Sequence, residues 1–188
     1  APGMSQNQHD RAETVATNLT VDTNTLHVDS TNNRVGIGTT TPGTVGAAKL
    51  EIKGADSSAA GPHVQAVTTI DNYPVSQLFN YSHDNVGIAF DAYFDGSWKS
   101  SDVGSNYSII KFMDRLEFGY NSTIAPGGVV GWNRAMVIKT TGDMGIGTVT
   151  PSGRLHVERT TAGALYFGNN TSTGNLLQLQ QNGVDKFV

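Results

Sequence analysis

The stretch RVGIGTTTP at residues 34–42 returns as MGIGTVTP at residues 144–151, so the chain carries G-I-G-T-x-T-P twice without a gap. An apolar alternating run precedes each copy, Leu26 and Val28 before the first, Met136 and Ile138 before the second. A second short run follows each, Leu50 and Ile52 in one, Leu155 and Val157 in the other. The pattern predicts one unit used twice, strand–turn–strand–turn–strand. Two copies are too few for a solenoid, which needs about three or more repeats to enclose a core. A unit this thin must bury its apolar side elsewhere, and other chains are the expected place.

The local chemistry of the unit is readable. Asn32-Asn33 in the first copy and Gly142-Asp143 in the second separate the two strands, and both pairs suit the positive φ of tight hairpin turns. Strand alternation puts Val35 and Ile37 on one face and Gly36 and Gly38 on the other. A glycine face weakens a strand unless another backbone approaches closely. Gly36, Gly38, Gly145 and Gly147 are therefore expected to pack against the backbone of another chain. Pro42 and Pro151 close each unit, since proline has no N–H to give a ladder.

TLHVDSTNNRVGIGTTTP with the following KLEI, and MVIKTTGDMGIGTVTPSGRLHV, resemble the repeats of fibre proteins from tailed phages and other large DNA viruses. The resemblance covers about residues 20–54 and 135–160, and residues 55–134 resemble the variable domains set between such repeats only loosely. It implies an elongated homotrimer of closely packed β-structure on the virion, held to other fibre or baseplate proteins, with a distal part that binds the host surface. Many members end in a self-cleaving trimerisation chaperone, and nothing in this sequence matches one.

The totals agree with a chain that leans on association. Leu, Ile, Val and Phe make up 43 of 188 residues, about 23%, just above the roughly 20% below which chains tend to stay disordered. Charged residues are only 15%, against roughly 25% in typical domains. The 22 glycines, with plentiful Thr, Asn and Ser, favour turns and strands. A net charge of −4 without a basic cluster leaves nucleic acid no electrostatic footprint. No apolar run approaches the roughly 18 residues of a membrane span, and no signal peptide pattern is visible. With no cysteine, a small domain cannot use disulfides, so oligomerisation is the natural substitute.

In chain order, residues 1–17 read as a flexible N-terminus and 18–54 as the first β repeat. Residues 55–134 read as a globular β domain, entered through the small, polar linker 54–62. Expected strands there are 63–70, 75–81, 86–94, 107–112 and 116–120, a spacing that suggests a sandwich or barrel. The clearest, 86–94, places Val86, Ile88, Phe90, Ala92 and Phe94 on one face. Residues 135–160 are the second repeat. Residues 161–188 read as further strands that continue into a longer fibre. The fold class is thus all-β: hairpin repeats flanking a β-sandwich-like knob in a trimeric fibre segment.

No catalytic constellation stands out. Asp84, Asp91, Asp95, Asp102, Asp114 and Glu117 include no recognisable glycosidase pair, and turns favour Asp in any case. His9, His27, His63, His83 and His156 lack the spacing of metal ligands, and His27 and His156 read as solvent-facing strand residues between two core neighbours. Neither metal nor cofactor is expected. Sugars stack on exposed rings and bond to neutral polar groups. The loop 95–102 offers Trp98 with Asp95, Lys99 and Asp102, and Tyr120 flanks the other long loop, so these five residues are the expected contacts to host glycan or glycoprotein. The function expected is host attachment without catalysis. The rivals are a purely structural spacer, a polysaccharide depolymerase and a bacterial adhesin of similar repeats.

Overall fold

The structure, a computed structural model, describes residues 19–22, 25–69, 71–162, 180–181 and 184–185. Every regular element among them is a strand, so the protein is all-β as the sequence predicts. The expected flexible segment 1–17 and nearly all of 161–188 lie outside the described residues.

In the first repeat, β1 (Leu19–Val21), β2 (Leu26–Asp29), β3 (Arg34–Ile37) and β4 (Leu50–Ile52) form a four-stranded sheet in that order. Strands β2 and β3 are an antiparallel hairpin, while β3 and β4 run parallel. The hairpin turn uses Asn33 at φ 54°, and the Asp29 carboxylate accepts the Asn32 backbone N–H at 3.0 Å and its side-chain amide at 2.8 Å. The second repeat is the same device. Strands β12 (Asn133–Lys139) and β13 (Met144–Ile146) pair antiparallel around Gly142 at φ 82°, and β14 (Leu155–Val157) runs parallel to β13.

The shared motif is the hinge between hairpin and parallel strand. A Cβ on Gly36 would strike the carbonyl oxygen of Thr39, and one on Gly145 the carbonyl oxygen of Thr148. Thr39 and Thr148 are buried, and their hydroxyls accept the backbone N–H of Thr41 at 3.2 Å and of Thr150 at 3.4 Å. Gly38 and Gly147 have φ of 76° and 75°, and a side chain there would run into the carbonyls of Lys53 and Glu158. Those residues continue the parallel ladder, Lys53 N–H to Ile37 O at 2.8 Å and Glu158 N–H to Ile146 O at 2.9 Å. The four glycines thus meet backbone as expected, but it is the backbone of their own chain. That corrects the expectation that they exist to admit another chain.

Between the repeats lie β5 (Val64–Val67), β6 (Pro74–Ser82), β7 (Asn85–Phe90), β8 (Ala92–Phe94), β9 (Trp98–Ser100), β10 (Ser105–Phe112) and β11 (Arg115–Ser122). They join the second repeat in one eight-stranded sheet, ordered β14-β13-β12-β11-β10-β7-β6-β5, with β8 and β9 as a separate two-stranded sheet. The boundary expected at 134/135 therefore falls inside β12, and the second repeat extends the knob's sheet. The expected strand 86–94 is split: Asp91 stands at φ 50°, which ends β7 and swings β8 onto one face of the sheet. Val86, Ile88 and Phe90 stay on the opposite face from Ala92 and Phe94. The segment 54–62 is laid along the sheet, with Ser57 N–H donating to Tyr81 O at 2.7 Å.

The two faces of the large sheet differ sharply. One carries the buried residues Phe79, Ala89, Ile110 and Val137, with Gln77, Ser108 and Glu117 among them. The β8–β9 hairpin covers part of this face. On the other face a continuous cross-strand row passes through all eight strands: Val157, Ile146, Met136, Phe118, Ile109, Ile88, Leu78 and Val64. Every residue of that row is apolar, and none is buried. The first repeat shows the same sidedness. His27 and Asp29 are buried, while Leu26 and Val28 beside them are only half-buried. That reverses the expected placing of His27.

Candidate functional site

The expected contact residues do not converge. Trp98 is half-buried in β9, within an aromatic cluster: its ring centroid lies 4.7 Å from Phe79, 5.6 Å from Phe94 and 5.5 Å from Trp132. It packs the hairpin onto the sheet and is not an open loop platform. The reason lies in the backbone: Trp98 pairs with Phe94 across β8–β9, so both rings point the same way, onto Phe79. Lys99 is half-buried and bridges to Val129. Asp102 is exposed and accepts Gly104 N–H at 3.2 Å. Tyr120 sits on the open apolar face, on the other side of the sheet from Trp98. Of the five, only Asp95 borders the cleft on the covered side.

That cleft, of about 710 Å³, lies where the start of β5, the turn before β6 and the β8–β9 hairpin meet. His63, Gln65, Tyr73, Gln77, Tyr93 and Asp95 line it, with Ala59 and Ala60 from the segment laid along the sheet. Each arrives for a local reason. Gln77 lies on the covered face of β6 because strand alternation sets it in the row of Phe79. It is completely buried, and its Oε1 accepts the Phe94 N–H at 2.8 Å, which ties β8 to β6. His63 precedes β5 and stacks on Phe79 at 5.2 Å, while its Nδ1 accepts the Asn80 N–H at 3.0 Å. Tyr73 and Tyr93 stand 6.1 Å apart.

These bonds decide which atoms carry hydrogen. With Oε1 of Gln77 accepting, the other arm is the NH2 group; with Nδ1 of His63 accepting, the proton sits on Nε2. Both nitrogens, Gln77 Nε2 and His63 Nε2, are buried and have no hydrogen-bond partner. Burial holds the His63 imidazole below its ordinary pKa, which favours the neutral ring. The Tyr93 hydroxyl is pushed up by burial and by Asp95 and Tyr73, so it stays protonated at neutral pH. The residues lining the cleft therefore carry two buried hydrogen-bond donors and two aromatic rings, with no cationic side chain among them.

Sequence reasoning singles out none of Gln77, Tyr73 and Tyr93, and weighs His63 only as a metal ligand. One signal was present: Gln77 is a polar residue in the alternating row that holds Phe79 and Tyr81. A second concavity, of about 330 Å³, lies on the open face among Phe90, Tyr107, Ile109, Phe118 and Tyr120. Among the described residues no group of three His, Cys, Asp or Glu is placed to hold a metal. No protein-family model matches the chain, and no curated protein matches it.

Proposed function

We propose that this chain is a segment of a homotrimeric viral fibre that serves host attachment by binding surface glycan, without catalysis. The observation that carries the reading is the eight-residue apolar row left uncovered across the large sheet. Monomeric proteins rarely leave a contiguous apolar patch of more than a few hundred Å² open. Interfaces between permanently associated copies have the opposite habit: an apolar centre stripped of charge and a polar rim. Here the centre of the row is Met136, Phe118, Ile109 and Ile88, and the ion pair of Lys111 with Asp84, 2.8 Å apart, stands at one margin. A face without charge at its centre suits a copy of itself, and the first repeat leaves Ile37 and Leu50 exposed in the same way.

Three copies is the count that the repeat resemblance implies, and such an assembly would place the chain on the virion, joined to other fibre or baseplate proteins. Light scattering tests it: the reading requires a single species of three times the 19.9 kDa chain mass. A stable monomer at micromolar concentration would sink it. A trimer that binds no host cell and no glycan leaves the spacer reading as the better one.

A further inference from the structure

The geometry points to the cleft beneath residues 59–61 as a binding site for a neutral sugar unit, with His63 and Gln77 as its donors and Tyr73 and Tyr93 as its aromatic wall. This deepens the glycan part of the proposed function and rests on it for the source of the ligand.

Two unpartnered donors are the starting point. An unsatisfied buried N–H costs about 1–3 kcal/mol, and most buried polar groups in folded proteins have a partner. Gln77 Nε2 and His63 Nε2 break that rule together, in residues that line one cleft. Neither can turn to a better partner, because Gln77 Oε1 is committed to Phe94 N–H and His63 Nδ1 to Asn80 N–H. The site is thus short of acceptors, and a ligand that brings oxygen atoms supplies them.

The rest of the lining narrows the ligand. Tyr73 and Tyr93 present ring surface and hydroxyls together, which suits a molecule with C–H faces and hydroxyl edges. No Lys or Arg lines the cleft, and Asp95 borders it, so an anionic ligand would find a like charge and no counter-charge. A volume of about 710 Å³ falls within the roughly 300–1,000 Å³ of small-molecule sites.

The roof is built to give. Gly61 lies on the imidazole edge, where a Cβ would come 2.8 Å from His63 Nε2. Ala59, Ala60 and Gly61 are among the smallest residues in the chain. They are held by a turn in which Gly61 N–H donates to Ser58 O at 3.0 Å and Ala60 N–H to Ser58 Oγ at 3.2 Å. A small outward shift of that turn would uncover His63 Nε2 to a ligand oxygen, with Gln77 Nε2 behind it in the same cleft lining.

The test is ligand-observed NMR on the full chain with glucose, galactose, N-acetylglucosamine and anionic N-acetylneuraminic acid, each as the free sugar. At least one neutral sugar should bind at about millimolar Kd, and the anionic sugar should bind at least ten-fold more weakly. Tyr73→Ala should weaken the neutral sugar at least ten-fold. Ala60→Trp, a large side chain on an exposed residue at the roof, should abolish binding while the melting temperature holds. Equal binding by wild type and Ala60→Trp, preference for the anionic sugar, or no neutral sugar bound would each overturn the proposal. A monomer that binds sugar in this cleft would fail the fibre reading and leave the site standing; a trimer that binds none would do the reverse.

Discussion

Gly36 faces the carbonyl oxygen of Thr39 so closely that a methyl group has no room between them, and Gly145 stands in the same relation to Thr148. The first glycine of each repeat thus lets the chain fold back on itself three residues later. The buried threonine then caps the turn through its hydroxyl, and the parallel strand begins on a fixed course.

It follows that Gly36→Ala and Gly145→Ala should each destabilise the protein by about 1–3 kcal/mol, the usual cost of forcing atoms into a filled space. Thermal unfolding checks this, with Gly131→Ala as the control. A Cβ on Gly131 would meet nothing within 4 Å, and its φ is not positive, so alanine there should be neutral or gain a few tenths of a kcal/mol from a stiffer unfolded chain. Equal melting for all three variants would show that the two hinge glycines are not needed for the turn.

The repeat unit, its turns and most strand centres were legible because they are local: Asn33 and Gly142 mark positive φ, and alternation marks strands. What alternation cannot say is which of two faces is covered. Val86, Ile88 and Phe90 obey the pattern of a core row, yet the covered face of the same sheet holds Gln77, Ser108 and Glu117. Glu117 is tolerated there because Arg115 bonds it at 2.5 Å and Arg134 at 3.4 Å. A single positive φ at Asp91 then carries Phe94 and Trp98 to the other side, a step that no period-2 count contains. The cleft was hidden for the same reason, since His63, Gln77 and Tyr93 meet only after that turn.

The open face should be indispensable to association and dispensable to the fold of one chain. Ile109→Glu puts a carboxylate at the middle of the cross-strand row. In a lone chain the charge reaches water from this uncovered face; in an assembly it would be buried without a partner, at about 3–5 kcal/mol. The proposed trimer should be lost by light scattering, with the β-sheet circular dichroism retained. An Ile109→Glu protein that still sediments as a trimer would show that copies meet elsewhere.

Trp98 is expected to act on stability before binding. Its ring touches Phe79, Phe94 and Trp132, and truncating a packed Trp typically costs about 3–5 kcal/mol. Partial exposure places Trp98→Ala toward the lower end. Chemical denaturation should show an earlier midpoint, and Trp98→Phe should recover most of it. Unchanged stability in Trp98→Ala would make this residue a surface contact after all.

Asp91 supplies a prediction in pH. Its backbone is fully used at the strand end: the N–H donates to Val75 O at 2.9 Å, and the carbonyl accepts Ser101 N–H at 2.8 Å as well as the Asn106 side-chain amide. Its carboxyl is held above the ordinary 3.8, first by burial and then by repulsion from Asp102. Below that ordinary value the group is protonated in both folded and unfolded chains and costs nothing. As pH rises through it, the unfolded chain ionises first, so stability falls until the folded carboxyl also ionises, and the penalty then stays constant to neutral pH. Asp91→Asn removes the charge, keeps the shape and tolerates φ 50°. The variant should therefore melt higher than wild type at pH 7, and the difference should shrink as the pH is lowered toward 3. Asp91→Ala also lacks the charge but accepts the left-handed backbone poorly, at about 1–2 kcal/mol, and should melt below Asp91→Asn at every pH. A gain in Asp91→Asn that is the same at pH 3 and pH 7 would mean that the carboxylate's charge is not the cause.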